Sequence, residues 1–198
     1  EMCIRDRNNN ENGEGAGPNA LDKNNYGALA AGMGAFASHG YSTAVGYNAT
    51  SVISSTSLGA ASYATSNSAA VGVNAYATNK GTSVGNNTQS TNGVAIGYNA
   101  TAGDFYKNLP GELFSSYSGT AIGNNAFARG GVAVGDSASA EAYGVALGDR
   151  AYVAWRGSAL GDSASVLANG GVALGPDAVA DTAAGKIGFV ATAAGQPA

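Results

Sequence analysis

VALGPDAVA, residues 172–180, is one copy of a pattern that recurs through most of the chain. With its glycine as origin, the pattern occurs eleven times, and the steps between successive glycines are 14, 13, 13, 13, 12, 26, 12, 13, 13 and 14 residues. The repeated glycines are Gly32, Gly46, Gly59, Gly72, Gly85, Gly97, Gly123, Gly135, Gly148, Gly161 and Gly175. A repeat this short forms one structural turn and buries no core alone, so the copies are predicted to stack into a solenoid.

The residues before each glycine predict a short inner strand. The position directly before it is a branched apolar residue in nearly every copy, as at Ile96 and Leu147. Two positions before it stands alanine or serine, and three positions before it stands threonine, valine or serine in most copies. A strand with apolar or small side chains on both faces is typical of burial on both sides. One face is therefore predicted to pack inside the chain and the other against identical neighbours, as a homo-oligomer.

The residues after each glycine predict a turn and a second strand. Small residues recur three and five positions after the glycine, as at Ala75 and Ala77, whereas the residue between them varies. This alternation predicts a strand with one buried side and one solvent-facing side. The chain is therefore predicted to be an all-β, parallel β-solenoid of about twelve rungs, spaced at about 4.8 Å along a thin rod.

Four copies of the repeat resemble the head repeats of trimeric autotransporter adhesins, the YadA-like head: VAIGYNATA (94–102), TAIGNNAFA (120–128), VAVGDSASA (132–140) and VALGDRAYV (145–153). The resemblance implies a left-handed parallel β-roll in which three identical chains lie side by side as a homotrimer. It also implies a non-catalytic function in virulence, namely cell adhesion to host matrix protein or surface glycan. The implied location is the cell surface, at the outer membrane of a Gram-negative bacterium.

Two other functions are compatible with the same repeat. One is a structural spacer in a phage or tail fibre. The other is an ice-binding solenoid, which favours a flat and regular threonine face. The outward position of the second strand mixes Phe, Thr, Tyr, Gln, Ser and Val, so the sequence favours the adhesin over the ice-binding protein.

Composition argues against several classes of protein. With 31 Gly, 11 % charged residues and one Trp among 198 residues, the chain suits an extended repeat better than a compact globule. The net charge of −4 disfavours nucleic acid as a partner, and no apolar run is long enough for direct membrane insertion. Cys3 is the sole cysteine, so neither a disulfide framework nor a cysteine-based zinc site is expected.

No catalytic motif accompanies the repeat. The sequence has no nucleophile elbow, phosphate-binding loop, metal-binding helix pair or dinucleotide fingerprint. The only histidine, His39, lies in a predicted turn between strands. The chain is therefore predicted to be no enzyme, with no cofactor and no catalytic or metal-binding residues.

Three aspartates follow the glycine in successive copies and are predicted to stack as like charges about 4.8 Å apart. Calcium between the rungs would relieve the repulsion, but the calcium-binding nonapeptide repeat is shorter and differently spaced. Solvent and nearby arginines are the favoured source of relief. The aspartates are Asp136, Asp149 and Asp162, and the arginines are Arg129, Arg150 and Arg156.

Four segments are predicted along the chain. Residues 1–7 resemble the translation of a sequencing adapter and are interpreted as an artefact, and residues 8–25 form a polar, flexible lead-in. Residues 26–182 form the β-roll head. Residues 183–198 form either a degenerate cap or the start of a neck or stalk. The natural N-terminus, signal peptide, neck, stalk and anchor are expected to lie outside this fragment.

The doubled interval between Gly97 and Gly123 predicts an insertion, residues 103–119, that replaces or decorates one rung. Its aromatic side chains either pack back onto the roll or contact a ligand. A second set of aromatics shares the outward position of the second strand, where it either suits the strand or forms a sticky stripe. The candidate ligand-contact residues are Phe105, Tyr106, Lys107, Phe114 and Tyr117 in the insertion, and Tyr63, Tyr76, Phe127 and Tyr152 on the strands.

Overall fold

A computed structural model of the protein describes residues 19–21, 27–103, 118–141 and 143–182. These residues form two parallel β-sheets. Consecutive strands alternate between the sheets, so the chain crosses from one sheet to the other at every turn. The described residues contain no helix. The prediction of an all-β, parallel β-solenoid is confirmed, with about eleven turns.

Each strand spans two or three residues. The twelve-stranded sheet contains β1 (Asn19–Leu21), β3 (Phe36–Ser38), β5 (Thr50–Val52), β7 (Tyr63–Thr65), β9 (Tyr76–Thr78), β11 (Gln89–Thr91), β13 (Thr101–Ala102), β15 (Phe127–Ala128), β17 (Ser139–Ala140), β19 (Tyr152–Val153), β21 (Ser165–Val166) and β23 (Val179–Ala180). The eleven-stranded sheet contains β2 (Leu29–Ala31), β4 (Thr43–Val45), β6 (Thr56–Leu58), β8 (Ala69–Val71), β10 (Thr82–Val84), β12 (Val94–Ile96), β14 (Thr120–Ile122), β16 (Val132–Val134), β18 (Val145–Leu147), β20 (Ser158–Leu160) and β22 (Val172–Leu174).

The strands of each sheet align so that every repeat position stands on the same position of the next copy. In the eleven-stranded sheet, Ala133 pairs with Ala121 on one side and with Ala146 on the other. Each repeat position therefore forms a column along the rod. In the glycine column, a Cβ built on Gly123 would collide with the backbone oxygen of Gly135. The repeated glycines thus allow the backbone of one rung to lie directly against the next.

The core is a narrow layer of small side chains between the two sheets. In the three-residue strands from β2 to β22 the central residue points inward, and Ala44, Ala95 and Ala146 are fully buried. On the other sheet, Ala75 and Ala77 are buried on either side of a solvent-facing residue. The predicted alternation of the second strand is therefore confirmed.

Serines replace alanines in part of the N-terminal half of the core. Ser57 Oγ and Ser62 Oγ lie 2.6 Å apart, and Ser83 Oγ lies 2.8 Å from Ser90 Oγ and 2.6 Å from the carbonyl oxygen of Tyr76. Because these buried hydroxyls have hydrogen-bond partners, they avoid the cost of unpaired polar groups. The C-terminal half instead has one continuous cluster of alanine and valine.

Side-chain volume in the core is balanced between facing positions. Val153 and Val166 are the largest fully buried apolar side chains of the described residues. A Cβ built on Gly144 would lie 2.6 Å from Cγ1 of Val153, and one built on Gly157 would lie 2.5 Å from Cγ1 of Val166. Glycine at one position therefore accommodates the larger residue at the facing one, as close packing requires.

Gly144→Ala is expected to lower the free energy of unfolding by about 1–3 kcal/mol, because the added methyl group overlaps Val153. Val153→Ala in the same chain removes the overlapping group, so the double variant is expected to lose less stability than the sum of the two single effects. Urea denaturation of the two single variants and the double variant measures this coupling. Strictly additive losses would contradict the steric pairing.

The insertion occupies no rung of its own. β12 pairs directly with β14, with Ala95 opposite Ala121, and β13 pairs with β15, with Thr101 opposite Phe127. The strands on either side of residues 103–119 are therefore neighbours in both sheets. The stack of rungs is therefore continuous across the predicted insertion, of which residues 104–117 lie outside the described residues. The solenoid has about eleven turns, where about twelve were predicted.

The twelve-stranded sheet begins earlier than predicted. β1 lies within residues 8–25, the predicted lead-in, and pairs with β3 so that Ala20 stands opposite Ala37. The predicted segments 1–7 and 183–198 lie outside the described residues.

Candidate interaction surfaces

The eleven-stranded sheet exposes the face that points away from the core. The residues that flank each central alanine or serine share this face, and Leu58, Ile96 and Ile122 are 37 %, 38 % and 37 % exposed. Within the single chain, the predicted burial on both faces therefore holds for one face only. The physical reason is that the second apolar side of a strand can be covered by another chain instead of by the core of its own chain.

Two columns of side chains make up this exposed face, and none of those on the eleven described strands is charged. We call it the apolar face. The column one position before the glycine contains Ala31, Val45, Leu58, Val71, Val84, Ile96, Ile122, Val134, Leu147, Leu160 and Leu174. The column three positions before it contains Leu29, Thr43, Thr56, Ala69, Thr82, Val94, Thr120, Val132, Val145, Ser158 and Val172. The first column is aliphatic throughout, whereas the second mixes aliphatic residues with threonine and serine. A largely apolar, uncharged surface of this extent is typical of an interaction site.

The predicted aromatic residues of the second strand lie on the outer side of the twelve-stranded sheet, but they form no continuous stripe. Tyr63 and Tyr76 stack with their ring centroids 5.0 Å apart. Phe127 and Tyr152 are separated by Ser139, which pairs with both, so they lie about 9.6 Å apart along the rod. The structure therefore brings two of the four residues together and keeps the other two apart.

The other predicted contact residues, Phe105, Tyr106, Lys107, Phe114 and Tyr117, lie outside the described residues. Their role as ligand contacts stays a prediction. The strands that flank the insertion place its two ends on adjacent rungs.

The predicted aspartate column lies at the turns that follow the eleven-stranded sheet, and its charges are partly compensated. Arg150 Nη2 donates to both carboxylate oxygens of Asp162, at 3.0 and 3.2 Å. The backbone N–H of Asp136 donates to Oδ1 of Asp149 at 3.0 Å. Arg150 thus provides the predicted relief, whereas Arg156 lies over an aromatic ring at the opposite edge of the rung. 

The hydrogen bonds from Arg150 lower the pKa of Asp162 below its ordinary value. Arg150→Gln is expected to raise that pKa towards the ordinary value of an aspartate side chain. Because the folded pKa is the lower one, the pair stabilises the fold above the unfolded pKa, and this contribution is lost as the pH falls through the folded pKa. NMR titration of the Asp162 side-chain carboxyl carbon measures the midpoint, and an unchanged midpoint in the variant would contradict the pairing.

The histidine and the acidic residues do not gather into one group among the described residues. His39 is exposed in a turn, and its Nδ1 lies 2.8 Å from Oγ of Ser38. In residues 27–103, 118–141 and 143–182, no three His, Cys, Asp or Glu side chains come together as a metal ligand set. The same part of the chain has no helix with the length and apolar character needed to span a membrane.

One cluster at the other edge of the rungs was missed by sequence analysis. It contains Tyr143, Trp155 and Arg156, which lie in the turns that follow β17 and β19. The spacing could have revealed it, because Tyr143 and Arg156 are one 13-residue period apart and therefore stand on successive rungs.

Comparison with known proteins identifies no relative of the chain. No protein-family model matches the chain, and neither a curated protein nor a solved structure matches it significantly.

Proposed function

We propose that this chain is part of the head of a homotrimeric, non-catalytic cell-surface adhesin of the trimeric autotransporter type. The observation that carries the proposal is the apolar face, which is uncharged along the whole eleven-stranded sheet. Exposed apolar surface of this length is costly in water unless another molecule covers it. The resemblance of the repeats to YadA-like heads supports identical chains as the cover.

The periodicity of the apolar face favours identical copies. Each rung presents the same two outward positions, and the parallel register repeats them at about 4.8 Å. A second and a third chain, aligned in parallel, present the same two columns with the same spacing. The faces can therefore pack rung against rung along their full length, as in a closed symmetric oligomer.

An assembly of this kind leaves the twelve-stranded sheets and the turns free for contact with a target. Three copies with repeated rungs convert weak individual contacts into strong overall attachment through multivalency. We assign the target to host extracellular matrix or surface glycans, and the location to the outer membrane of a Gram-negative bacterium. No chemistry is assigned to the chain, since its side chains serve packing and contact.

The test is the solution mass of the full chain after fusion to a trimeric coiled coil and release by protease. Sedimentation is expected to give three times the 19.3 kDa chain mass, with the β circular dichroism retained. A stable folded monomer would overturn the trimer. The released trimer is also expected to bind immobilised collagen or fibronectin above an albumin control, whereas failure to bind any matrix protein would favour a structural spacer.

A further inference from the structure

We propose that Tyr143, Trp155 and Arg156 form a binding site for an acidic saccharide, with Trp155 as the stacking platform and Arg156 as the anion contact. This site lies apart from the apolar face. The inference rests on the proposed adhesin function and extends it by naming a ligand class and the residues that bind it.

The three side chains converge at one edge of two successive rungs. The rings of Tyr143 and Trp155 meet edge to face, with centroids 6.3 Å apart and an interplanar angle of 80°. The guanidinium carbon of Arg156 lies 5.5 Å from the centroid of the Tyr143 ring. Trp155 is nevertheless 41 % exposed, so part of its indole surface is accessible to a ligand.

The backbone carries the cluster at a conformational cost. Tyr143 and Arg156 have φ values of 63° and 48°, in the left-handed region that disfavours bulky side chains. Many other turns of the chain place asparagine in this region, as at Asn74 and Asn99. Tyr41, Ile53 and Lys80 adopt the same region in other turns, so the contacts between side chains, and not the backbone conformation, distinguish this cluster.

Charge complementarity favours an anionic group on the ligand. The ion pairs between described side chains are Arg129–Glu141 and Arg150–Asp162, and neither involves Arg156. The aspartate column lies at the opposite edge of the rungs, in the turns that follow the eleven-stranded sheet. Tyr143 therefore positions a guanidinium that can donate in a forked geometry to a carboxylate or sulfate.

A sugar ring that carries an acid group suits this arrangement of groups. The C–H groups on one face of a pyranose are weakly positive and pack against the electron-rich face of an indole. A carboxylate or sulfate on the same ring can then reach the cation beside it. A neutral sugar would leave Arg156 without an anionic partner, whereas a free anion would leave the Trp155 surface uncovered.

The experiment uses the full chain and the fluorescence of its only tryptophan, which lies in the site. The probes are hyaluronan oligosaccharides, which carry carboxylates, dextran sulfate, which carries sulfates, and neutral dextran. Saturable fluorescence changes are expected with one or both acidic probes, and none with dextran. Comparison of the two acidic probes distinguishes the carboxylate from the sulfate as the recognised group.

Arg156→Gln is expected to weaken binding of the acidic probe at least tenfold, measured by calorimetry as well as fluorescence. Trp155→Ala is expected to abolish the calorimetric signal. Arg150→Gln, at the opposite edge of the rung, provides the matched control and is expected to bind as the parent chain does. Circular dichroism of each variant verifies that the fold is retained.

Three outcomes would overturn the saccharide site. These are no saturable binding of either acidic probe, binding that survives both Arg156→Gln and Trp155→Ala, and equal binding of dextran. Tryptophan fluorescence that follows trimer formation instead of added saccharide would assign the cluster to contact between copies, which also overturns the proposal. Sedimentation of the same samples tests the trimer independently of saccharide binding. A trimer that binds no saccharide would contradict only the saccharide site, and a monomer that binds it would contradict only the trimer.

Discussion

Gly148→Ala is expected to destabilise the fold by about 4 kcal/mol or more, a loss that is rare for a single methyl group. Gly148 has a φ of 135°, which residues with a side chain rarely adopt. A Cβ at this position would overlap the carbonyl oxygen of Gly161 and lie 2.6 Å from its carbonyl carbon. Because the obstacle is the backbone of the next rung, no side-chain movement can relieve it. The melting temperature, followed by circular dichroism, is expected to fall by about 10 °C or more.

Gly170→Ala is the control for a glycine of positive φ with open space around it. Because its φ lies in the less costly left-handed region, the comparison measures the joint effect of φ and close contact at Gly148. Gly170 also has a positive φ, at 74°, but a Cβ built on it would meet no atom within 4 Å. Its substitution therefore incurs only the cost of the left-handed backbone, about 1–2 kcal/mol. Equal losses in Gly148→Ala and Gly170→Ala would show that the φ of Gly148 and its close contact with the next rung contribute little.

Ile122→Asp is expected to weaken the proposed trimer about a thousand-fold or more, since each subunit would bury an unpaired carboxylate. Ile122 lies on the apolar face and is 37 % exposed in the single chain. Sedimentation across a range of protein concentrations measures the change in association. Retention of the parent mass at low concentration would show that the apolar face lies outside the interface.

Tyr152→Asp provides the control for this substitution, because Tyr152 is 38 % exposed on the outer side of the other sheet. The two residues are almost equally accessible in the single chain, and they lie on different sheets. Tyr152→Asp is expected to leave the solution mass unchanged. If both substitutions dissociate the assembly, the effect reflects general destabilisation of the rungs and not the apolar face.

The rungs could be predicted from the sequence because local chemistry repeats. The glycine period fixes where each turn of the solenoid falls, and alternation such as Ala75-Tyr76-Ala77 distinguishes the buried side from the open one. The pattern around Ala121 was less informative: it is apolar on both faces, and only one of them is covered by the chain itself. Periodicity shows that a surface is apolar, but it does not show which molecule covers it.

The candidate site was harder to predict than the fold. The predicted aromatic contacts of the strands lie at the outward position, where Phe127 and Tyr152 are two rungs apart. Tyr143 and Trp155 occupy turns, whose lengths vary between copies, so their convergence depends on backbone geometry more than on residue type. A left-handed tyrosine has no signature in the sequence.

The direct pairing of β12 with β14 means that the length of the rod depends on the number of rungs and not on the length of the turns between them. Since residues 103–119 add nothing to the height of the rod, an insertion at such a turn can lengthen, shorten or change in composition while every other rung keeps its position. Duplication of one repeat, by contrast, raises everything beyond it by a single strand spacing, about 4.8 Å. Evolution can therefore change the length of the rod through the number of rungs, and separately change the surface loops through the length of the turns.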